Sequence, residues 1–320
     1  MAFDSASGKQ TKVAVTSISW HGWPDCYLIA NGRVEAIIVP AIGRVMQLRL
    51  AGEEDGAFWE NRALDGQLPA PAQNETDTAE WINFGGDKCW PAPQSSWPQQ
   101  QGREWPPPVA FDSRPMEAVT TEQGVVLTSP LDPGFGVQVT RHVELDAEQP
   151  VMRIMTEYRK ISGPPVRVGV WSITQMHEPE RVFILLPEQS KFAAGYIRLM
   201  EGEPAELKIE GRLLSLVRHR GECVKIGADA GSLAWVGRSC VVRIDAEERA
   251  EPGAVEYPDG GCVTQVYTNP DPLPYVELET LGPLANLSVC DRIERSTVYT
   301  IMHRSMPDPD EEARKIFAAR

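Results

Sequence analysis

A succession of short alternating segments constrains the fold of this chain more than any other feature. From Val13 to His303, β-branched and aromatic residues alternate with polar ones in short runs separated by Gly, Pro, Asn and Asp. A period of two places successive side chains on opposite faces of a strand. The pair Asn31-Gly32 between two such runs is a strong hairpin signal. The sequence therefore predicts an all-β protein, a large antiparallel sandwich, with residues 1–320 forming a single domain.

The ends of these elements follow from the alternation and from the turn residues. The predicted strands cover residues 26–30, 34–39, 44–50, 124–128, 136–145, 151–158, 166–176, 182–186, 206–210, 213–219, 223–228, 233–236, 240–245, 262–267, 275–281 and 296–303. One short C-terminal helix is predicted, with Asp308 as N-cap, Pro309 at N1, Glu311 at N3 and its end at Ala319. Residues 60–108 are rich in Pro, Gln and Trp and keep no period, so they are predicted to form long loops.

The charge balance limits the classes of partner. The chain has 45 acidic and 31 basic residues, a formal charge of -14, and no cluster of Lys and Arg. Nucleic acids and anionic membranes are therefore not expected partners. The sequence contains no apolar run of about 18 residues, the length of a membrane span, and no apolar segment after its first charges. We expect a soluble, cytoplasmic protein.

The sequence has no spacing typical of a bound metal or cofactor. The six cysteines lie far apart without a C-x-x-C pair, and there is no H-x-H or H-E-x-x-H motif. Nucleophile-elbow and phosphate-loop motifs are also absent. Reduced thiols, no metal and no cofactor are therefore expected.

Two acids mark the most informative strand, Tyr275–Leu281. Glu277 and Glu279 point to the same face, and two residues of rise separate their carbons by about 7 Å. Gly282-Pro283 then ends the strand. The pair either faces water or lines a pocket, in which case the pKa of one carboxyl is raised.

Residues 81–97 combine glycines, charges and indoles. The pair Gly85-Gly86 is followed by five candidate binding residues: Asp87, Lys88, Trp90, Gln94 and Trp97. A sugar ring packs its C–H face on an aromatic ring, and its hydroxyls need fixed polar partners, so this mixture is typical of carbohydrate sites. Alternatively, the tryptophans only close one end of the sandwich.

The predicted strand 166–176 supplies a third group of side chains. Trp171, Ile173 and Gln175 share one face, and His177 extends it. A His beside a carboxylate is a usual proton-transfer pair, so His177 and Glu279 are candidate acid and base. A His at a strand end can instead have only a structural role.

Several of these motifs, taken in chain order, resemble those of the galactose mutarotase-like superfamily, which includes the aldose 1-epimerases. The resemblance covers roughly residues 22–303 and rests on the Asn31-Gly32 hairpin, Ala41-Ile42-Gly43-Arg44-Val45, Gly85-Gly86-Asp87-Lys88-x-Trp90, and Leu278-Glu279-Thr280 followed by Asn286. The sequence also resembles an uncharacterised branch with a G-G-x-K-x-W-P-A-P-Q loop and a final Y-V-E-L-E strand. The resemblance implies a large antiparallel β-supersandwich.

The resemblance also implies roles for two residues. Glu279 matches the glutamate that acts as general base on the anomeric hydroxyl in aldose epimerases, and Arg44 matches a sugar-contacting arginine. Phe84 stands where the epimerases have a His before the glycine pair. Residues 171–175 lack the His that is their general acid.

Without that His, the proton donor is either His177 or Lys88. The leading hypothesis is an aldose 1-epimerase-like isomerase in which Glu279 removes the anomeric proton and no cofactor takes part. The first alternative is a non-catalytic carbohydrate-binding protein that uses the same cleft. A glycoside hydrolase or lyase is the second alternative, because acids about 7 Å apart fall in the range of inverting enzymes. The expected partner is a small-molecule or oligomeric sugar, and the oligomeric state is left open.

Overall fold

Strands make up most of the regular structure in the computed structural model, which describes residues 13–68, 81–247 and 255–318. In chain order they are β1 (Ala14–Trp20), β2 (Trp23–Ala30), β3 (Val34–Val39), β4 (Arg44–Leu50), β5 (Asp87–Ala92), β6 (Glu117–Thr120), β7 (Gly124–Thr128), β8 (Val137–Leu145), β9 (Val151–Lys160), β10 (Val166–His177), β11 (Arg181–Leu185), β12 (Ile197–Arg198), β13 (Lys208–Glu210), β14 (Leu213–Leu216), β15 (Val224–Ala228), β16 (Ser232–Val236), β17 (Cys240–Ala246), β18 (Thr264–Thr268), β19 (Tyr275–Leu281), β20 (Ala285–Leu287) and β21 (Arg292–His303).

The helices are short. They are α1 (Trp97–Gln101), α2 (Val109–Asp112) and α3 (Pro309–Ala318), with 3-10 turns at Pro40–Ile42, Arg62–Leu64 and Gln94–Ser96. Within the described ranges, no helix has the length and apolar character needed to cross a membrane.

The strands form two large antiparallel sheets. The first sheet has the order β1-β2-β3-β4-β5-β10-β19-β18-β15-β12, and β20 pairs with a further stretch of β10. The second sheet has the order β13-β14-β11-β16-β17-β21-β9-β8-β7-β6. The predicted all-β antiparallel sandwich is therefore confirmed.

The core lies between the inner faces of the two sheets. Along β8, buried residues alternate strictly with half-buried ones, as a period of two requires. Val45 and Leu278 of the first sheet belong to the same apolar cluster as Ile154, Ile244 and Tyr299 of the second. The outer face of the first sheet, turned away from this core, carries the residues of the candidate site.

The predicted hairpin and terminal helix are confirmed, with one change of detail. The Asn31 side chain joins β2 to β3, because its Oδ1 accepts the backbone N–H groups of Arg33 and Val34, each at 2.9 Å. Before α3, the backbone N–H groups of Ser305 and Met306 donate to the carboxylate of Glu312 rather than of Glu311. The predicted helix end, Ala319, lies outside the described residues.

The prediction that residues 60–108 form only loops is wrong, because the segment contains β5, a central strand of the first sheet. Proline in a central strand usually argues against that assignment, since it cannot donate to the ladder. Here Pro91 lies opposite Val170 of β10, whereas β4 pairs with β5 only through Val45 and Asp87. Pro91 therefore needs no ladder partner on its other side. Residues 69–80 of this segment lie outside the described residues.

Candidate functional site

The acidic pair lies in the middle of the first sheet, on β19 between β10 and β18. Every residue of β19 is buried, so the alternative of a solvated strand face does not hold. Gln175 lies directly opposite Glu277 on one side, and Gln265 lies opposite Glu279 on the other. Since directly opposite residues point the same way, both glutamines share the outer face with the acids.

Glu279 is fully buried and holds two partners through one oxygen. Its Oε2 accepts a hydrogen bond from Trp171 Nε1 at 2.7 Å and lies 3.0 Å from Lys225 Nζ. The Lys225 ammonium also lies over the Trp171 ring, 4.5 Å from its centroid. Burial raises the pKa of Glu279 to about 7, although Lys225 acts in the opposite direction. The carboxyl can therefore exchange a proton near neutral pH.

Glu277 binds a second buried lysine. Its Oε1 accepts hydrogen bonds from Lys88 Nζ at 3.3 Å and from Gln175 Nε2 at 2.8 Å. Lys88 is fully buried, and its ammonium lies 5.0 Å from the centroid of the Trp90 ring. Burial lowers the pKa of Lys88, which makes the ammonium a better proton donor than an exposed lysine.

Arg44 completes the charged cluster. Its guanidinium donates to Gly85 O at 2.9 Å and to Asp112 Oδ1 at 3.0 Å. The same Asp112 oxygen accepts Trp90 Nε1 at 2.8 Å. A Cβ on Gly85 would lie 2.3 Å from Trp59 O, so only glycine permits this close approach.

Five tryptophans extend from the charged cluster to the surface. The Trp90 ring contacts Trp171 at 5.4 Å, Trp97 at 5.7 Å and Trp105 at 5.8 Å between centroids. Trp81 lies 5.3 Å from Trp105. Trp105 is 47% exposed, whereas Trp90 is buried, so Trp171, Trp90, Trp81 and Trp105 form an indole ledge that ends in solvent, and the buried Trp97 packs against it.

The structure brings most of the predicted site residues together on the outer face. Those that meet there are Arg44, Lys88, Trp90, Trp171, Gln175, Glu277 and Glu279. Those that it places elsewhere are Asp87, Gln94, Trp97 and His177.

Asp87 lies on the inner face of β5, not beside Lys88. Its carboxylate forms an ion pair with Arg141 of β8 and accepts hydrogen bonds from Thr174 Oγ1 at 2.7 Å and from the Tyr299 hydroxyl at 2.8 Å. All of these residues are buried between the sheets. Asp87 therefore links the sheets and is not available to a ligand of the outer face.

Two residues of the following turn are also displaced from the cluster. Trp97 is fully buried behind Trp90, and its Nε1 donates to Pro91 O at 2.8 Å, as the packing alternative predicts. Gln94 is exposed in the 3-10 turn Gln94–Ser96.

His177 lies at the exposed end of β10. It is four residues beyond Ile173, the residue opposite Glu279, which corresponds to about 13 Å along the strand. A side chain at that distance does not share a single sugar ring with Glu279. Lys88, the other candidate acid, lies on β5 directly opposite Ile173. It therefore points to the same face of the sheet as Glu279, which lies opposite Ile173 on the other side.

The sequence did not identify three residues of the cluster. Lys225 is in a strand that was predicted only as structure, and its alternation in V-K-I-G-A is the one signal that places it on a polar face. Gln265 likewise lies between Thr264 and Val266 in an alternating run. Asp112 belongs to no recognisable sequence motif, and it reaches the site because α2 packs against β5.

Several buried polar atoms of the cluster have no hydrogen-bond partner among the residues that the structure describes. They are Gln175 Oε1, Gln265 Oε1, Glu279 Oε1 and Arg44 Nε. Both glutamine amides are fixed in orientation, because their Nε2 atoms donate to Glu277 and to Asp259. Since buried polar groups are nearly always satisfied, such a concentration is typical of a site that hydrogen-bonds a ligand.

Comparisons with known proteins support the same fold. A protein from Escherichia coli K12 described as a candidate aldose 1-epimerase matches with a TM-score of 0.56 and 11% identity, over 87% of this chain and 99% of that chain. A galactose mutarotase-like protein from Lactobacillus casei ATCC 334 matches with a TM-score of 0.53 and 10% identity, over 87% and 100%. A galactose mutarotase-like protein from Clostridium acetobutylicum matches with a TM-score of 0.53 and 10% identity, over 91% of this chain and 99% of that chain.

These likenesses confirm the fold that the motifs predicted, a galactose mutarotase-like sandwich. No curated protein sequence matches the chain. A family model described as a domain of unknown function, DUF4380, matches residues 27–227, which is more than half of the chain. This protein therefore belongs to the DUF4380 family.

Proposed function

We propose that the protein binds a carbohydrate on the outer face of the first sheet and interconverts its anomers. Glu279 takes the proton of the anomeric hydroxyl, and Lys88 gives a proton to the ring oxygen as the bond between that oxygen and the anomeric carbon breaks. Re-closure on the opposite face of the carbonyl reverses both transfers. Proton transfer between positioned groups is sufficient for this reaction.

One observation carries the proposal. A fully buried carboxyl with a pKa of about 7 keeps one oxygen without a partner in the described part of the chain, beside indole rings and two glutamine carbonyls. A sugar supplies both hydroxyl donors for these acceptors and a C–H face for the indoles. The sheet thus presents chemistry that suits a pyranose more than a peptide or a nucleotide.

The decisive experiment measures mutarotation of common aldoses and of reducing oligosaccharides by polarimetry or NMR exchange. We expect the purified protein to accelerate anomer exchange above the buffer rate. Rates equal to buffer for every sugar tested would contradict the enzymatic proposal. Analysis of oligosaccharide products in the same samples would reveal hydrolysis or elimination instead.

The rival function is carbohydrate binding without turnover. The observation that favours it is the complete burial of Glu279 and its occupied Oε2, because a base must be reached by its substrate. Quenching or enhancement of tryptophan fluorescence by a sugar, combined with buffer-level mutarotation, would support this function.

Trp105 offers a test of the binding surface that leaves the charged cluster intact. We expect Trp105→Ala to weaken sugar affinity about fivefold, because a partly exposed aromatic contact is worth about 1 kcal/mol. Titration calorimetry measures the change. Val119→Ala, at an exposed residue of the edge strand β6, is the matched control and should leave the affinity unchanged. Equal sugar affinities for the wild type and Trp105→Ala would show that the indole ledge is not part of the binding site.

A further inference from the structure

Lys225 reaches Glu279 from two strands away. It lies on β15, and β18 separates that strand from β19. Neighbouring strands are about 4.8 Å apart, so the ammonium crosses nearly 10 Å of sheet to reach the carboxylate. A side chain shorter than lysine cannot make this contact. The Trp171 ring lies below the ammonium and supports its position.

The other groups around Glu279 do not replace this cation. Trp171 supplies one N–H from β10, and Gln265 of β18 has its amide nitrogen bound to Asp259. Glu277 on the same strand repels a second negative charge. Lys88 on β5 is directed to Glu277, and the Tyr267 hydroxyl on β18 donates to Asn269.

Burial gives the ion pair its importance. Glu279 has no exposed surface, and a carboxylate in such surroundings takes up a proton unless a cation compensates for the lost hydration. The Lys225 side chain is 13% exposed, so its ammonium lies at the edge of the buried region and can turn towards solvent.

We infer that Lys225 is a positioning residue that keeps Glu279 ionised and holds its Oε2 in place. The inference deepens the proposed function, since it names the residue on which the general base depends. Oε2 stays bound to Lys225 and Trp171, while Oε1 remains available for the anomeric hydroxyl.

The test follows the Trp171 indole N–H, which reports directly on Glu279. In ¹⁵N-labelled wild-type protein, this signal should titrate with a midpoint of about 7. In Lys225→Met, the midpoint should rise by about 1–3 pH units, the range expected when a neighbouring opposite charge is lost. Lys225→Arg should restore a midpoint near that of the wild type. Lys208→Met removes an ammonium paired with Asp310 and is the matched control, with no shift expected.

An unchanged midpoint in Lys225→Met would overturn the inference. If that variant does not fold, Lys225→Gln gives the same comparison with a polar side chain. In the mutarotation assay, a rise of one unit should lower the rate at pH 7 about fivefold and move the ascending limb of the pH profile upwards by the same amount. A shifted midpoint in a protein without mutarotation would uphold the role of Lys225 and contradict the proposed isomerase instead.

Discussion

Replacing Asp87 by alanine is expected to lower the free energy of unfolding by about 3–5 kcal/mol, the cost of breaking a buried ion pair. Asp87 and Arg141 are both fully buried, and Arg141 reaches across from the second sheet. Without the carboxylate, the guanidinium keeps its charge in an apolar interior. Urea denaturation followed by tryptophan fluorescence measures the loss as a lower midpoint at unchanged slope.

A double mutant separates the ion pair from the other contacts of Asp87. In Asp87→Leu/Arg141→Met, neither charge of the pair is left in the interior, so the variant should be more stable than Asp87→Ala alone. The Thr174 and Tyr299 hydroxyls lose Asp87 but lie 2.9 Å apart, so they can still bind each other. If Asp87→Ala lowered the free energy of unfolding by less than about 1 kcal/mol, the value of a typical hydrogen bond, the ion pair would not contribute to holding the sheets together.

The contrast between Asp87 and Lys88 shows what the sequence could not reveal. The two residues are adjacent, and as members of a loop both were predicted to bind the same ligand. Strand β5 instead directs Asp87 to the inner face and Lys88 to the outer face. The prolines of this segment concealed its strand character, because the local rule against proline assumes a ladder on both sides.

The acidic pair was predictable because it depends on local alternation. The strand Tyr275–Leu281 has the predicted ends, and Glu277 and Glu279 share a face as the period of two requires. The partners of this pair depend on strand order, which no local pattern contains. Lys225 lies far before Glu279 in the chain and meets it only because β18 and β15 follow β19 in the sheet.

Glu279→Gln is expected to reduce the mutarotation rate about 10²- to 10⁴-fold, the usual contribution of a general base. In the wild type, the rate should increase as the pH rises through about 7, because only the ionised carboxylate accepts a proton. The amide has no such titration, so the residual rate of the variant should lose this ascending limb. Rates measured between pH 5 and pH 9 test both statements.

The variant should lose activity without losing its fold, and here Glu279 differs from Asp87. The pKa of Glu279 is higher in the folded protein than the ordinary value of 4.5 for a glutamate, so ionisation of this group reduces stability as the pH rises from about 4.5 through 7. Glutamine removes that cost, and Lys225 can turn its ammonium to solvent, which Arg141 cannot. We therefore expect a melting temperature at pH 8 close to that of the wild type.

Glu203→Gln, at an exposed side chain paired with Arg198, is the control and should retain full activity. Wild-type rates in Glu279→Gln would exclude it as the base, whereas an unfolded variant would show that its carboxylate supports the sheet.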